Sequence, residues 1–174
     1  MLSSTISFVL ALVLSPSAGQ TETKHLTVAT SAPAGAVAPG SRVPLVIDVA
    51  PKPEMHVYAP EQKELIPISL VLEANRAVKA HPARFPKPEK FKPLDEVQFV
   101  YSKPFRIVQD VTVSTTTAAL ERAKVEGTTL TIKGALKYQA CDNSICYAPV
   151  TVPVVWTISL KSTAVPSSSP ASPR

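Results

Sequence analysis

Two cysteines, Cys141 and Cys146, are the residues of this chain best placed to do chemistry. A pair with four residues between them can staple a turn, exchange electrons with another thiol pair, or help to hold a metal. The metal reading is the weakest. The histidines (His25, His56, His81) are scattered, and no CxxC or HxxxH spacing supplies the convergent ligands that zinc or copper needs. An exported metal-handling module using Met55, His56 and the cysteines is therefore the third reading, and no metal site is expected.

The other two readings turn on the segment Lys137–Val150 (KYQACDNSICYAPV). It lies between two strongly alternating stretches and carries the turn formers Asp142, Asn143 and Ser144, so it should cap a β-hairpin. Opposed cysteines there would sit about 4.5–5.5 Å apart at Cα, within reach of a disulfide. Parity adds a constraint. The apolar faces of both flanking strands use even numbers, so facing partners sum to an even number, whereas 141 and 146 sum to an odd one. One extra residue must be absorbed, and a bulge near Tyr147–Pro149 is the expected place, since Pro149 cannot donate to a ladder. Most disulfides in exported proteins are staples. Against that, closing so short a loop removes only about 2 kcal/mol of chain entropy, compared with about 4–5 for a long-range crosslink. A pair at an exposed turn is also open to an attacking thiolate. From the residues alone, structural and functional roles both stand.

The elements that must position this pair are strands. The chain has 174 residues, 45% hydrophobic and 18% charged, with 18 prolines and 5 glycines. That length suits one domain with tails, and the proline content disfavours a helical bundle. Apolar residues recur with a period of two at Val43–Val49, Ile66–Leu72, Phe105–Val113 (interrupted by Gln109), Leu130–Tyr138 and Val150–Leu160, with a shorter candidate at His25–Ala29. Only Thr117–Lys124 hints at a helical turn. Seven or so short strands predict an all-β, immunoglobulin-like antiparallel β-sandwich over residues 25–160, with a cysteine-bearing hairpin. The segment His81–Leu94, with prolines at 82, 86, 88 and 93, reads as a long extended loop that cannot be an interior strand.

The ends differ from this pattern. Ile6–Leu14 is an apolar run followed by Ser15, Pro16 and small residues, which reads as a signal peptide over residues 1–19 with cleavage after Gly19, although no Lys or Arg precedes the run. The mature chain is then expected to be periplasmic or otherwise exported, with no membrane span. Lys161–Arg174 is Ser/Pro-rich and should be disordered. The net charge of +5 is spread along the chain without blocks or interleaved aromatics, so nucleic-acid binding is not expected.

The motif YQACDNSICYAPV resembles the cysteine loop of the amino-terminal periplasmic domain of DsbD, the thiol:disulfide interchange protein. Met55–Pro60 (MHVYAP) is similar to the His-x-Tyr segment of that family. Asp95–Tyr101 (DEVQFVY) is similar to its acidic-aromatic segment, which forms a cap over the disulfide. The resemblance covers about residues 25–160. The spacing between the cysteines and the cap segment are both short here, and a stand-alone version of the domain is expected.

The resemblance implies thiol–disulfide exchange, with no cofactor beyond the cysteine pair. Cys146 would attack a partner's disulfide and Cys141 would resolve the mixed disulfide. It also implies a cap or supporting set of Asp95, Glu96, Val97, Phe99, Tyr138 and Tyr147, with Val97 and Phe99 as the apolar shield. His56 and Tyr58 would serve as packing or hydrogen-bonding groups. The expected partners are thioredoxin-like exported proteins or a membrane electron-transfer protein. The alternative is a non-enzymatic binding or assembly module whose hairpin disulfide is structural.

Overall fold

The computed structural model describes residues 19–63, 65–93, 96–122 and 128–161. The signal-peptide reading (apart from Gly19), Asp95 and the tail after Lys161 lie outside these residues. In chain order the strands are β1 (Gly19–Glu22), β2 (Leu26–Ser31), β3 (Arg42–Pro51), β4 (His56–Tyr58), β5 (Ser69–Leu72), β6 (Val78–Ala80), β7 (Glu89–Phe91), β8 (Gln98–Tyr101) and β9 (Phe105–Val113). A short helix α1 (Thr117–Arg122) precedes β10 (Thr129–Tyr138), β11 (Ala140–Cys141) and β12 (Val150–Ser159).

Alternation builds the long strands. β3, β10 and β12 bury every second residue, which fits sheets with one face on a core. The strands assemble antiparallel into a five-stranded sheet (β1-β2-β3-β9-β6), a three-stranded sheet (β12-β10-β5) and a four-stranded sheet (β11-β4-β8-β7). The first two enclose the main core, in which Leu45, Ile47 and Ile107 meet Ile132, Leu136, Trp156 and Ile158. The Trp156 indole N–H donates to the Val46 carbonyl at 3.0 Å and ties one layer to the other. This is an immunoglobulin-like β-sandwich.

Two glycines matter for geometry. Gly40 has φ +85°, a left-handed turn that delivers the chain into β3. At Gly134, a Cβ would lie 2.8 Å from the Val71 carbonyl oxygen, so the close approach of β10 and β5 requires glycine there.

Three expectations need correction. Twelve strands, not seven or so, occur among the described residues, because several are too short to show alternation. The proline-rich segment is not all loop: β7 lies between Pro88 and Pro93, and Arg84 bridges to Val108. β7 is an edge strand, where proline neighbours are tolerated. Gln109 does not interrupt β9. It is buried in register, and its amide donates to the carbonyls of His81 and Asp110.

Candidate functional site: the Cys141–Cys146 hairpin

The site forms where the chain changes sheets. β10 runs paired with β12 as far as Tyr138↔Val150, and after Gln139 the next two residues join the four-stranded sheet instead. There Ala140 faces Val57 and Cys141 faces His56. Cys141 and Cys146 then face each other as an isolated bridge. The Asp142 N–H donates to the Ile145 carbonyl at 3.0 Å and the Tyr147 N–H to the Ala140 carbonyl at 2.9 Å. Those bonds make the cysteines a non-hydrogen-bonded pair, the kind in which side chains come closest. Their Cα atoms are 4.0 Å apart, somewhat closer than the expected spacing, and the sulfurs are bonded at 2.02 Å. Between Tyr138↔Val150 and Cys141↔Cys146 lie two residues on one side and three (Tyr147, Ala148, Pro149) on the other. The extra residue sits where parity requires.

The two faces of the four-stranded sheet have different jobs. Val57, Ala140, Phe99 and Tyr101 belong to or pack on the main core. The opposite face gathers Tyr58, Val100 and Cys141, with Leu65 and Phe91 packed against them. The shield expected at Val97 and Phe99 is therefore displaced. Phe99 points to the core side because neighbouring residues of β8 alternate, and Val100 takes the place beside Cys141. Val97 is exposed and, with Glu96 and Phe99, lines a shallow pocket against Glu61, Gln62 and Lys63. Tyr138 is fully buried in the core, and its hydroxyl meets Thr23 Oγ1 at 2.9 Å, not a sulfur.

Burial separates the two sulfur positions. Cys141 is 2% exposed, whereas Cys146 is an exposed residue at the loop edge beside Ile145, itself 55% exposed. The buried Tyr58 hydroxyl lies 3.3 Å from Cys141 Sγ and 3.4 Å from Cys146 Sγ. A disulfide has no S–H, so Tyr58 is the donor and its one proton is shared between the two acceptors. Burial raises the Tyr58 pKa, which keeps that proton in place at neutral pH. The sequence marks Tyr58 only as a packing or hydrogen-bonding group; its position facing the sulfurs follows from strand pairing.

Asp142 organises the loop. Its Oδ1 accepts the N–H groups of Ser144 (2.7 Å) and Ile145 (2.8 Å), and its Oδ2 accepts the Tyr147 hydroxyl at 2.7 Å. The backbone bond from Ile145, then those from Tyr147 and Ser144, hold the carboxyl below its usual range, so a full negative charge stands next to Cys141. Tyr147 is fixed in turn by the His25 ring at 4.5 Å and by Lys24 Nζ at 4.9 Å from its ring centre. Neither ring nitrogen of the buried His25 has a hydrogen-bond partner.

Burial, reinforced by the charges of Lys24 and Lys52, lowers the His25 pKa; burial also lowers that of His56, against the pull of Asp142. Both imidazoles thus resist a proton that the unfolded chain accepts. Stability should fall as pH drops below about 6.5, the unfolded value, and continue to fall until the folded pKa is passed. His25→Phe should flatten this dependence. Chemical denaturation at about pH 7.5 and about pH 5.5 measures it; an equal loss in wild type and variant would remove His25 from the account.

Among the described residues, no group of three or more His, Cys, Asp or Glu side chains converges on a possible metal site. No helix among them is long and apolar enough to cross a membrane.

A family model described as the N-terminal domain of the thiol:disulfide interchange protein DsbD matches residues 23–155. The chain belongs to the DsbD N-terminal domain family. Among solved structures, it is similar to the N-terminal periplasmic domain of ScsB from Proteus mirabilis, with 12% identity and a TM-score of 0.51. That match covers 82% of this chain but 50% of the ScsB chain, so this protein spans about half the length of that relative. It is also similar to the DsbD n-terminal domain of Neisseria meningitidis in the reduced form. There the identity is 18% and the TM-score 0.43, over 66% of this chain and 75% of that one. At 12% identity the likeness to the ScsB domain speaks for the fold alone. No curated protein sequence matches the chain significantly. The DsbD-type family and the disulfide-forming pair support a thiol–disulfide exchange domain.

Proposed function

We propose that this DsbD-type domain passes electrons between thioredoxin-like partners outside the cytoplasm, through Cys141 and Cys146 and with no further cofactor. The observation that carries the reading is the asymmetry of the pair: Cys146 is exposed while Cys141 is buried. An incoming sulfur can reach one end of the bond only. In the reduced domain, the Cys146 thiolate attacks a partner's disulfide. The partner's bond breaks, one of its sulfurs leaves as thiolate, and a mixed disulfide forms. Cys141, deprotonated, then attacks Cys146 Sγ and releases the partner's second sulfur. Two electrons have moved from this domain to the partner, whose thiolates take up the protons.

Tyr58 supports both steps by donating a hydrogen bond to whichever sulfur carries charge. Asp142 acts the other way: its charge disfavours a standing thiolate on Cys141, so that sulfur ionises as it is needed, in keeping with a resolving role. The apolar cover of Val100, Leu65 and Phe91 keeps Cys141 from partners that do not engage Cys146 first. Export rests on the apolar run at Ile6–Leu14, and a thioredoxin-like protein or a membrane electron-transfer protein would act as donor or acceptor.

The test mixes the reduced full chain with an oxidised thioredoxin-like protein and counts thiols on each after separation. The reading expects two thiols to move from this domain to the partner. No transfer, with both proteins folded, would leave the hairpin disulfide as a structural element of a binding module.

A further inference from the structure

The Asp142–Tyr147 hydrogen bond closes nearly the same loop as the disulfide. Asp142 follows Cys141 and Tyr147 follows Cys146, and each link spans a separation of five residues. The supports of this bond involve no sulfur. The Asp142 carboxylate is held by the Ser144 and Ile145 N–H groups, and the Tyr147 ring rests on His25 and beneath Lys24. The Tyr147 N–H also bonds to Ala140 across the pair, and Gln139 Nε2 donates to the Tyr147 carbonyl at 3.0 Å. Breaking the S–S bond removes none of these contacts.

We propose that Asp142 and Tyr147 form a redox-independent clasp, which keeps the two cysteines in register as thiols and makes the disulfide harder to reduce. Two links that close one loop favour each other: with the loop already closed by the clasp, forming the second link fixes less chain freedom. By linkage, the disulfide strengthens the clasp by the same factor. The consequence for chemistry lies in the resolving step. While Cys146 is joined to a partner, the clasp holds Cys141 within reach of it, which favours resolution over release of the partner by an outside thiol. Asp142 and Tyr147 are thus positioning residues. This role rests on the exchange reading for its use in a reaction cycle, but not for its existence.

The experiment equilibrates the full chain with glutathione, in which the protein disulfide plus two glutathione thiols gives the protein dithiol plus one glutathione disulfide. Wild type, Tyr147→Phe, Asp142→Asn and the double variant are compared. Tyr147→Phe keeps the ring on His25 and changes no charge at neutral pH. It should lower the equilibrium constant for disulfide formation about three- to ten-fold, within the range of a typical intramolecular hydrogen bond. The double variant should move no further than the larger single one, because both remove the same bond. A merely structural role would lower the thermal midpoints of the oxidised and reduced forms equally and leave the constant unchanged. An unchanged constant in Tyr147→Phe, or shifts that add in the double variant, would overturn the clasp. Should Asp142→Asn fail to fold, Tyr147→Phe alone decides. Exchange of the wild type with a thioredoxin-like protein, run alongside, tests the exchange reading separately.

Discussion

Replacing Cys146 with Ser should abolish exchange with a thioredoxin-like partner, whereas Cys141→Ser should capture that partner as a stable mixed disulfide. The asymmetry follows from exposure. Cys141 is 2% exposed, enclosed by Tyr58 and Val100, and an attacking sulfur needs an in-line approach that this packing denies. With Cys146 gone, the remaining thiol is sheltered and further disfavoured as thiolate by the Asp142 charge. With Cys141 gone, Cys146 remains exposed and nothing inside the domain resolves the adduct. Non-reducing electrophoresis and intact-mass measurement read both results. Equal capture by the two variants would show that burial does not set the order of attack. Neither variant should unfold the domain, since a crosslink over so short a loop contributes only about 2 kcal/mol.

The largest effect on stability is expected at Trp156. It is 2% exposed, stands in the layer of β12 and donates to the Val46 carbonyl in β3 of the facing sheet. Trp156→Ala should cost about 3–5 kcal/mol through lost packing and the cavity left behind. The orphaned Val46 carbonyl adds to that only if water cannot reach it. Urea denaturation followed by circular dichroism measures the change. A cost below about 1 kcal/mol would mean that the two sheets do not depend on this contact. Phe99→Ala should fall well short of the Trp156 loss, because Phe99 is only partly buried against the core.

How far these features can be read from the sequence depends on strand length. β3, β10 and β12 are ten residues long each, enough for alternation to show which face is buried. The odd sum of the two cysteine positions predicted an extra residue at Tyr147–Pro149, and the pairing has it there. Three-residue strands carry no such signal. β4 buries His56, Val57 and Tyr58 alike, since its residues face the core on one side and the disulfide cluster on the other. The change of sheet at Gln139 depends on which strand is available to pair with Ala140 and Cys141, and that partner, β4, lies more than eighty residues away in sequence. The expected shield at Val97 and Phe99 misses Val100 for the same reason: the start of β8 sets which of Phe99 and Val100 faces the sulfurs, and a segment of four residues does not reveal its own register. Tyr58 is legible in the sequence only as a packing or hydrogen-bonding group, and strand pairing is what brings its hydroxyl to the disulfide.

The central claim is that this disulfide is meant to open. Its reduction potential tests that most directly, by equilibrating the folded full chain in glutathione buffers of graded ratio and quantifying the Cys141–Cys146 bond by mass. The account predicts a potential above about −300 mV, in the range of labile disulfides, with faster equilibration when a thioredoxin-like protein is added. A potential well below that value, unmoved by such a protein, would contradict it and make the pair a staple.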